Sequence, residues 1–90
     1  MPTVSEEQVK PEVVHTLATI SGKEEGGIRE TQRLFEDLGM SKELKRACAA
    51  SFEKAARHFN AGATVTRLEC QKLLTVRASI KLVAKKASTK

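Results

Sequence analysis

Ninety residues suffice for one small domain with a single core, and a composition that is 40% hydrophobic excludes a disordered chain. Three Phe residues with no Trp or Tyr mean that this core is aliphatic, and no apolar stretch reaches the roughly 20 residues that a membrane-spanning helix needs. The net charge of +5 is divided into −4 over residues 1–40 and +9 over residues 41–90, so an acidic partner would dock on the second part.

Helix one is predicted from a capping box and an apolar stripe. Ser5 and Gln8 have the spacing at which each side chain hydrogen-bonds the backbone amide of the other residue. Apolar residues then recur at the spacing of one helix face: Val9, Val13, Leu17 and Ile20. Pro11 implies either that the regular helix begins there or that the first turn is irregular, and Gly22 ends the helix.

A long polar loop is predicted from Gly22 to Gly39, and loops of this length in a compact domain usually serve a function. Its Gly26-Gly27 pair lacks the strand, lysine and helix of a phosphate-binding loop, so we interpret it as a turn. Single apolar residues interrupt the loop and are predicted to pin it to the core: Ile28, Leu34, Phe35 and Leu38.

Helix two is predicted to begin at Ser41, whose hydroxyl can accept a hydrogen bond from a free amide of the first turn. Its buried face is predicted to contain Leu44, Cys48, Phe52, Ala55 and Phe59. Its outward face collects basic residues, here called the basic face, which form a candidate docking surface for a partner: Lys42, Lys45, Arg46, Lys54 and Arg57. The helix ends before the turn of residues 60–62.

Two further helices follow. Thr66 and Glu69 have the spacing of a second capping box, which opens a short helix through Leu73, and Thr75 is placed to cap a fourth helix. The core-facing residues of this last helix are Val76, Ile80 and Val83. Residues 85–90 are predicted to form a flexible basic tail, so the core of the domain spans residues 6–84.

Together these elements predict an all-α fold, a small four-helix bundle with a long first connection and a short third helix, as one domain over residues 1–90. With no alternating strand pattern in the sequence, we expect no sheet.

Three segments carry a resemblance to a known family. The stretch Leu34-Phe-Glu-Asp-Leu-Gly-Met40 looks like the end of a long loop in which Asp-Leu-Gly precedes a modified serine. Residues 65–83, with Lys72-Leu-Leu-Thr-Val76 and Ile80, resemble that family's third helix, its Thr-Val step and its final helix, and the apolar spacing of helix one is similar as well. The family is that of the acyl carrier proteins, and the likeness spans roughly Glu6 to Val83.

The resemblance implies a four-helix carrier that is not itself an enzyme. It would present an acyl or related group on a phosphopantetheine arm to acyl-transferring or synthase enzymes of lipid or secondary-metabolite synthesis, such as fatty acid or polyketide biosynthesis. A phosphopantetheinyl transferase would attach the arm to Ser41. In the register of the family, Ser41 stands where an Asp is expected and Lys42 where the serine is expected, and the second helix is basic instead of acidic.

Two roles therefore stay open for Ser41: attachment point of the arm, or helix cap alone. In the alternative interpretation, the chain has a carrier fold without the arm and acts as an interaction or regulatory module through the basic face.

Nucleic acid is not the expected partner, because single-strand recognition normally adds aromatic platforms and two of the three Phe are assigned to the core.

The remaining reactive side chains predict no catalytic or metal site. Cys48 and Cys70 lack CxxC spacing and match no zinc pattern with His15 and His58, so buried free thiols are predicted. Residues 1–10 hold two Glu and no apolar run, unlike a signal peptide, so we expect a cytoplasmic protein. We also expect a monomer.

Overall fold

The computed structural model describes residues 4–88. It consists of α1 (Glu6–Ser21), a single 3₁₀ turn (Glu25–Gly27), α2 (Lys42–Arg57), α3 (Arg67–Gln71) and α4 (Val76–Ser88). No strand occurs within residues 4–88, where the β-type pairing is one isolated antiparallel bridge between Arg33 and Thr75. The predicted all-α, four-helix architecture with a long first connection and a short third helix is confirmed.

Hydroxyl side chains begin all four helices as predicted, with Ser41 before α2. Before α1, the Gln8 amide donates to Ser5 Oγ at 3.3 Å and the Ser5 amide donates to Gln8 Oε1 at 2.8 Å. Before α3, Thr66 and Glu69 make the same reciprocal pair at 3.2 and 3.0 Å. Thr75 Oγ1 accepts from the amide three residues later at 3.0 Å at the start of α4. Each cap satisfies an amide that the helix itself cannot pair.

The start of α1 differs from both alternatives suggested by Pro11. The helix begins at Glu6 with a regular capped turn and continues through Pro11 without a break. Proline cannot donate to the carbonyl four residues earlier, but Glu7, which owns that carbonyl, lies on the exposed side of the helix, where water can hydrate it. Gly22 ends α1 as predicted, with a left-handed φ of +77°.

The core lies where α1, α2 and α4 pack on one another, with α3 packed against α2. The predicted core residues of α4 are buried, as are Cys48, Phe52 and Ala55 of α2, whereas Leu44 is half-buried. In the apolar stripe predicted for α1, Val9, Val13 and Leu17 are buried and Ile20 is half-buried. Phe59 was predicted to be buried, but its side chain is 42% exposed. The reason is that α2 ends at Arg57, so Phe59 lies in the following turn, where helical spacing no longer applies.

The first connection is bound to the link between α3 and α4. The Leu34 amide donates to the Leu74 carbonyl at 2.9 Å, and the Val76 amide donates to the Gln32 carbonyl at 3.0 Å. Of the four residues predicted to pin the loop, three are buried: Ile28, Leu34 and Leu38. The prediction for Phe35 is wrong, because the turn that places its neighbours against the core leaves Phe35 on the outside, 63% exposed.

An ion cluster around Glu30 also holds this connection. Its carboxylate lies 2.7 Å from Lys10 Nζ of α1 and 3.5 Å from the Arg77 guanidinium of α4. The hydrogen bond and charge of Lys10 lower the pKa of Glu30. The cluster joins α1, the loop and α4, which no local sequence pattern indicated.

The end of α4 differs from the predicted flexible tail. The helix continues to Ser88, Ala87 is buried, and Lys86 Nζ lies 2.8 Å from the Glu69 carboxylate. The Val4 amide donates to Ser88 Oγ at 2.9 Å, so the tail is ordered by a contact with the opposite end of the chain. The last two residues of the predicted tail lie outside the described part. Among the helices of residues 4–88, none combines the length and apolarity required to cross a membrane.

Candidate functional site

Ser41 is the N-cap of α2, as predicted. Its backbone is extended, its Oγ accepts from the Leu44 amide at 3.4 Å, and its carbonyl accepts from the Lys45 amide at 2.9 Å. Ser41 is half-buried, and its hydroxyl lies over the first turn of α2. The residue is therefore partly accessible to solvent while its hydroxyl caps the helix.

The position of Ser41 is set by the residues that precede it. Asp37 accepts from the Arg33 amide at 2.7 Å, and the Met40 amide donates to the Leu34 carbonyl at 2.9 Å. Met40 is fully buried, which anchors the chain one residue before the cap. Gly39 has a left-handed φ of +68°, a conformation that costs other residues about 1 kcal/mol or more. The Asp-Leu-Gly motif thus has a structural role in leading the loop into α2.

The helix begins one residue after the hydroxyl. Lys42 is the first helical residue and is exposed, so the position that the acyl carrier resemblance gives to the modified serine is held by a lysine. The Ser41 hydroxyl lies one residue before that position, on the side of the loop. The first amides of α2 have no acceptor within the helix and, with the helix dipole, favour negative charge at this end.

The basic face is less uniform than the sequence predicted. Lys45 is 8% exposed, because it lies on the same side of α2 as the buried Ala49 and Phe52. Arg46 Nε donates to Gln71 Oε1 at 2.7 Å, which fastens α2 to the end of α3. Lys45 is therefore removed from the exposed docking surface.

The other end of the basic face is also occupied by internal contacts. Arg57 Nε donates to the Ala63 carbonyl at 2.9 Å, and its guanidinium lies 3.4 Å from the Glu53 carboxylate. Lys42 and Lys54, by contrast, are exposed and form no ion pair with any residue between positions 4 and 88. These two lysines are the members of the basic face most available to a partner.

Both cysteines are free and buried, as predicted. Burial, with a smaller effect of the neighbouring Cys70 thiol, raises the pKa of Cys48 to about 12. Burial and the charge of Glu69 raise the pKa of Cys70 to about 11. A protonated, inaccessible thiol is neither a nucleophile nor a metal ligand.

The histidines lie apart from these thiols, on the α1 side of the molecule. His58 Nδ1 is 2.6 Å from the Glu12 carboxylate, and His15 Nδ1 contacts the Glu25 carboxylate. Each pair joins two elements at an exposed surface. In the part of the chain that the structure describes, no three His, Cys, Asp or Glu side chains are grouped so as to hold a metal ion.

Sequence reasoning missed two exposed apolar residues near Ser41. Phe35 was assigned to the core, and Leu74, 70% exposed, was not singled out. Leu74 is adjacent to the loop through its hydrogen bond with Leu34. Helical spacing could not find them, because both residues lie in connections.

The chain matches no protein-family model, and neither a curated protein nor a solved structure shows significant similarity to it.

Proposed function

We propose that this protein is a divergent, basic acyl carrier, which presents an acyl or related group to partner enzymes from a phosphopantetheine arm on Ser41. The observation that carries the proposal is the place of Ser41: a half-buried serine whose hydroxyl caps the N-terminus of a 16-residue helix, one residue after the Asp-Leu-Gly turn. The likeness to acyl carrier proteins in residues 34–40 and 65–83 supports it.

The residues around Ser41 fit such an arm. The phosphodiester is an anion, and it would lie at the positive end of the α2 dipole, beside the unpaired Lys42. The Ser41 oxygen remains in the ester, and the phosphate oxygens can accept from free amides of the first turn of α2, including the Leu44 amide that the hydroxyl caps in the unmodified protein. The arm supplies a thiol that holds the acyl group as a thioester, and the chain itself needs only to position it.

Intact-mass measurement tests this function. After incubation with coenzyme A and a broad-specificity phosphopantetheinyl transferase, the full chain should gain the mass of one arm. Ser41→Ala should abolish the gain, and its helix content should persist because losing a cap costs only about 1 kcal/mol. Ser51→Ala, which alters an exposed serine of the same helix, is the matched control and should retain the gain. Absence of any gain with several transferases would exclude the carrier function.

The second candidate is an interaction or regulatory module without the arm. The observation that favours it is the hydrogen bond from the Leu44 amide to Ser41 Oγ, since a helix cap accounts for the serine without modification. In this case the mass experiment gives no gain for the native chain, and the exposed Lys42 and Lys54 of the basic face remain as contacts for an acidic protein.

A further inference from the structure

A surface groove between α2 and α3 is lined by two arginines. Its volume is about 360 Å³, and its lining residues are Glu43, Arg46, Ala47, Ala50 and Arg67. The four residues from α2 follow one another at helical spacing, so they lie along one exposed face of that helix. Arg67, the first residue of α3, completes the lining. We call this site the α2–α3 groove.

The Arg46 guanidinium is held in position by one of its own donors. Its Nε donates to Gln71 Oε1 at 2.7 Å, and Gln71 is the half-buried last residue of α3. A guanidinium has five N–H donors, so the donors on its two terminal nitrogens stay available to a ligand. Because the side chain is already restrained, it loses less entropy when it binds an anion.

Neither arginine of the α2–α3 groove is neutralised by a carboxylate. The structure shows no ion pair for Arg46 or Arg67 within residues 4–88. Glu43 lines the groove as well, but it forms no ion pair with either guanidinium. The groove itself therefore holds two positive charges and one negative charge.

Two lysines of α2 add positive charge next to the α2–α3 groove. Lys42 directly precedes Glu43, and Lys54 lies one turn beyond Ala50. Both lysines are exposed and form no ion pair with any residue between positions 4 and 88. With the two arginines, they place four cations around the single carboxylate of Glu43.

The other carboxylates of α2 and α3 are engaged by internal partners. Glu53 accepts from the Val65 amide at 2.9 Å and lies 3.4 Å from the Arg57 guanidinium. Glu69 lies 2.8 Å from Lys86 Nζ of α4. These two carboxylates are therefore not free to offset the charge of the groove, and its surroundings favour an anionic ligand.

We propose that the α2–α3 groove binds a phosphomonoester, with the phosphate between the guanidiniums of Arg46 and Arg67. Each guanidinium can donate two parallel hydrogen bonds to phosphate oxygens. A phosphomonoester carries nearly two negative charges at neutral pH, so it gains more from two guanidiniums than a singly charged carboxylate does. The exposed Ala47 and Ala50 leave room for the organic part of the ligand. Binding requires no arm on Ser41, so it goes beyond the proposed carrier function.

The test uses the full chain without the arm, labelled with ¹⁵N and titrated in a phosphate-free buffer of constant ionic strength. Inorganic phosphate should cause saturable amide shifts within residues 43–50 and 66–71. Acetate should bind at least about tenfold more weakly, because it carries a single charge.

Two phosphomonoesters then distinguish the sources of the ligand. Glycerol 3-phosphate represents a small molecule, and a peptide of about ten residues with one phosphoserine represents a protein segment. Tighter binding of the first than of inorganic phosphate assigns the organic part to a small molecule. Tighter binding of the peptide assigns it to a protein.

Variants separate the α2–α3 groove from the general charge of the protein. Arg46→Gln and Arg67→Gln should each weaken phosphate binding about tenfold, because each removes charge-assisted hydrogen bonds. Glu43→Gln should strengthen it about threefold by removing a repulsive charge. Arg29→Gln, at an exposed arginine of the first connection, is the matched control and should leave the affinity unchanged. Arg46→Gln also loses the bond to Gln71, whereas Arg67→Gln breaks no ion pair of the described fold.

Three results with inorganic phosphate would overturn the proposal: no saturable shifts, shifts centred outside the α2–α3 groove, or an equal loss of affinity in Arg29→Gln and Arg67→Gln. Equal binding of acetate and phosphate would overturn it as well. The same holds if neither phosphomonoester binds more tightly than inorganic phosphate, or if a single-stranded oligonucleotide binds more tightly than both. Because no arm is attached in these titrations, a failure here is distinct from a failure of the mass experiment.

Discussion

Phe52→Ala should lower the free energy of unfolding by about 3–5 kcal/mol, a large fraction of the total stability of a domain of this size. Phe52 is the one buried aromatic side chain among residues 4–88, is fully inaccessible to solvent, and lies at the centre of α2. Its removal leaves a large cavity between α2 and the helices that pack on it, which small aliphatic neighbours cannot fill. Urea unfolding followed by circular dichroism at 222 nm measures the change.

The matched controls are the two exposed phenylalanines. Phe35→Ala and Phe59→Ala remove the same atoms from side chains that are 63% and 42% exposed, so each should cost about 1 kcal/mol or less. If Phe59→Ala destabilised the protein as much as Phe52→Ala, α2 would have to continue into the core beyond Arg57, contrary to the structure.

The second large effect concerns the thiols. At pH 8, Cys48 and Cys70 in the folded protein should react with iodoacetamide at least about a hundredfold more slowly than in the urea-unfolded chain. The thiolate is the reactive form, and burial raises the pKa of Cys48 to about 12 and that of Cys70 to about 11, so little thiolate exists at pH 8. Mass spectrometry of quenched samples gives both rates. Rapid labelling of either cysteine under native conditions would contradict its buried position.

The same pKa shifts make the fold sensitive to alkali. A thiol in the unfolded chain has a pKa near 8.5, whereas burial raises the pKa of Cys48 to about 12 and that of Cys70 to about 11. The protonated thiols therefore favour the folded state. Their contribution to the free energy of unfolding is complete below pH 8.5 and is lost as the pH rises toward 11–12. Each thiol should contribute a loss of about 1.4 kcal/mol per pH unit above pH 9. Urea unfolding at pH 8, 9 and 10 measures how steeply the free energy of unfolding falls with pH. Cys70→Ala should reduce this slope by the contribution of one thiol, about 1.4 kcal/mol per pH unit. An unchanged slope in that variant would contradict the assignment.

The parts of the fold that depend on neighbours in sequence were predictable. Ser5 and Thr66 each meet a partner three residues away, so their caps could be identified from spacing alone. The parts that depend on distant contacts could not be identified. Ser88 is ordered by Val4, at the opposite end of the chain, and a basic composition at this position suggested a free tail instead.

The candidate site, too, could be predicted from the sequence only in part. Ser41 was identified correctly as a cap, because the first turn of a helix needs an acceptor there. Lys45 was misplaced because a charged residue was assumed to face solvent, whereas its position in the helical repeat turns it toward the buried side. Phe35 was misplaced because an apolar residue in a loop can pin that loop or stand outside it, and only the turn decides which.

The hydrogen bond between Val4 and Ser88 also bears on how the domain can be combined with other proteins. The two ends of the described chain meet at Ser88, the last residue of α4, whereas the link that bears Leu74 precedes the first. Because α4 is 13 residues long, these two places are roughly 18 Å apart. Both ends can thus be joined to the same loop of a host protein by short linkers. An inserted copy would then display Ser41 on the side facing away from its host, since the loop that precedes Ser41 is bonded to that link.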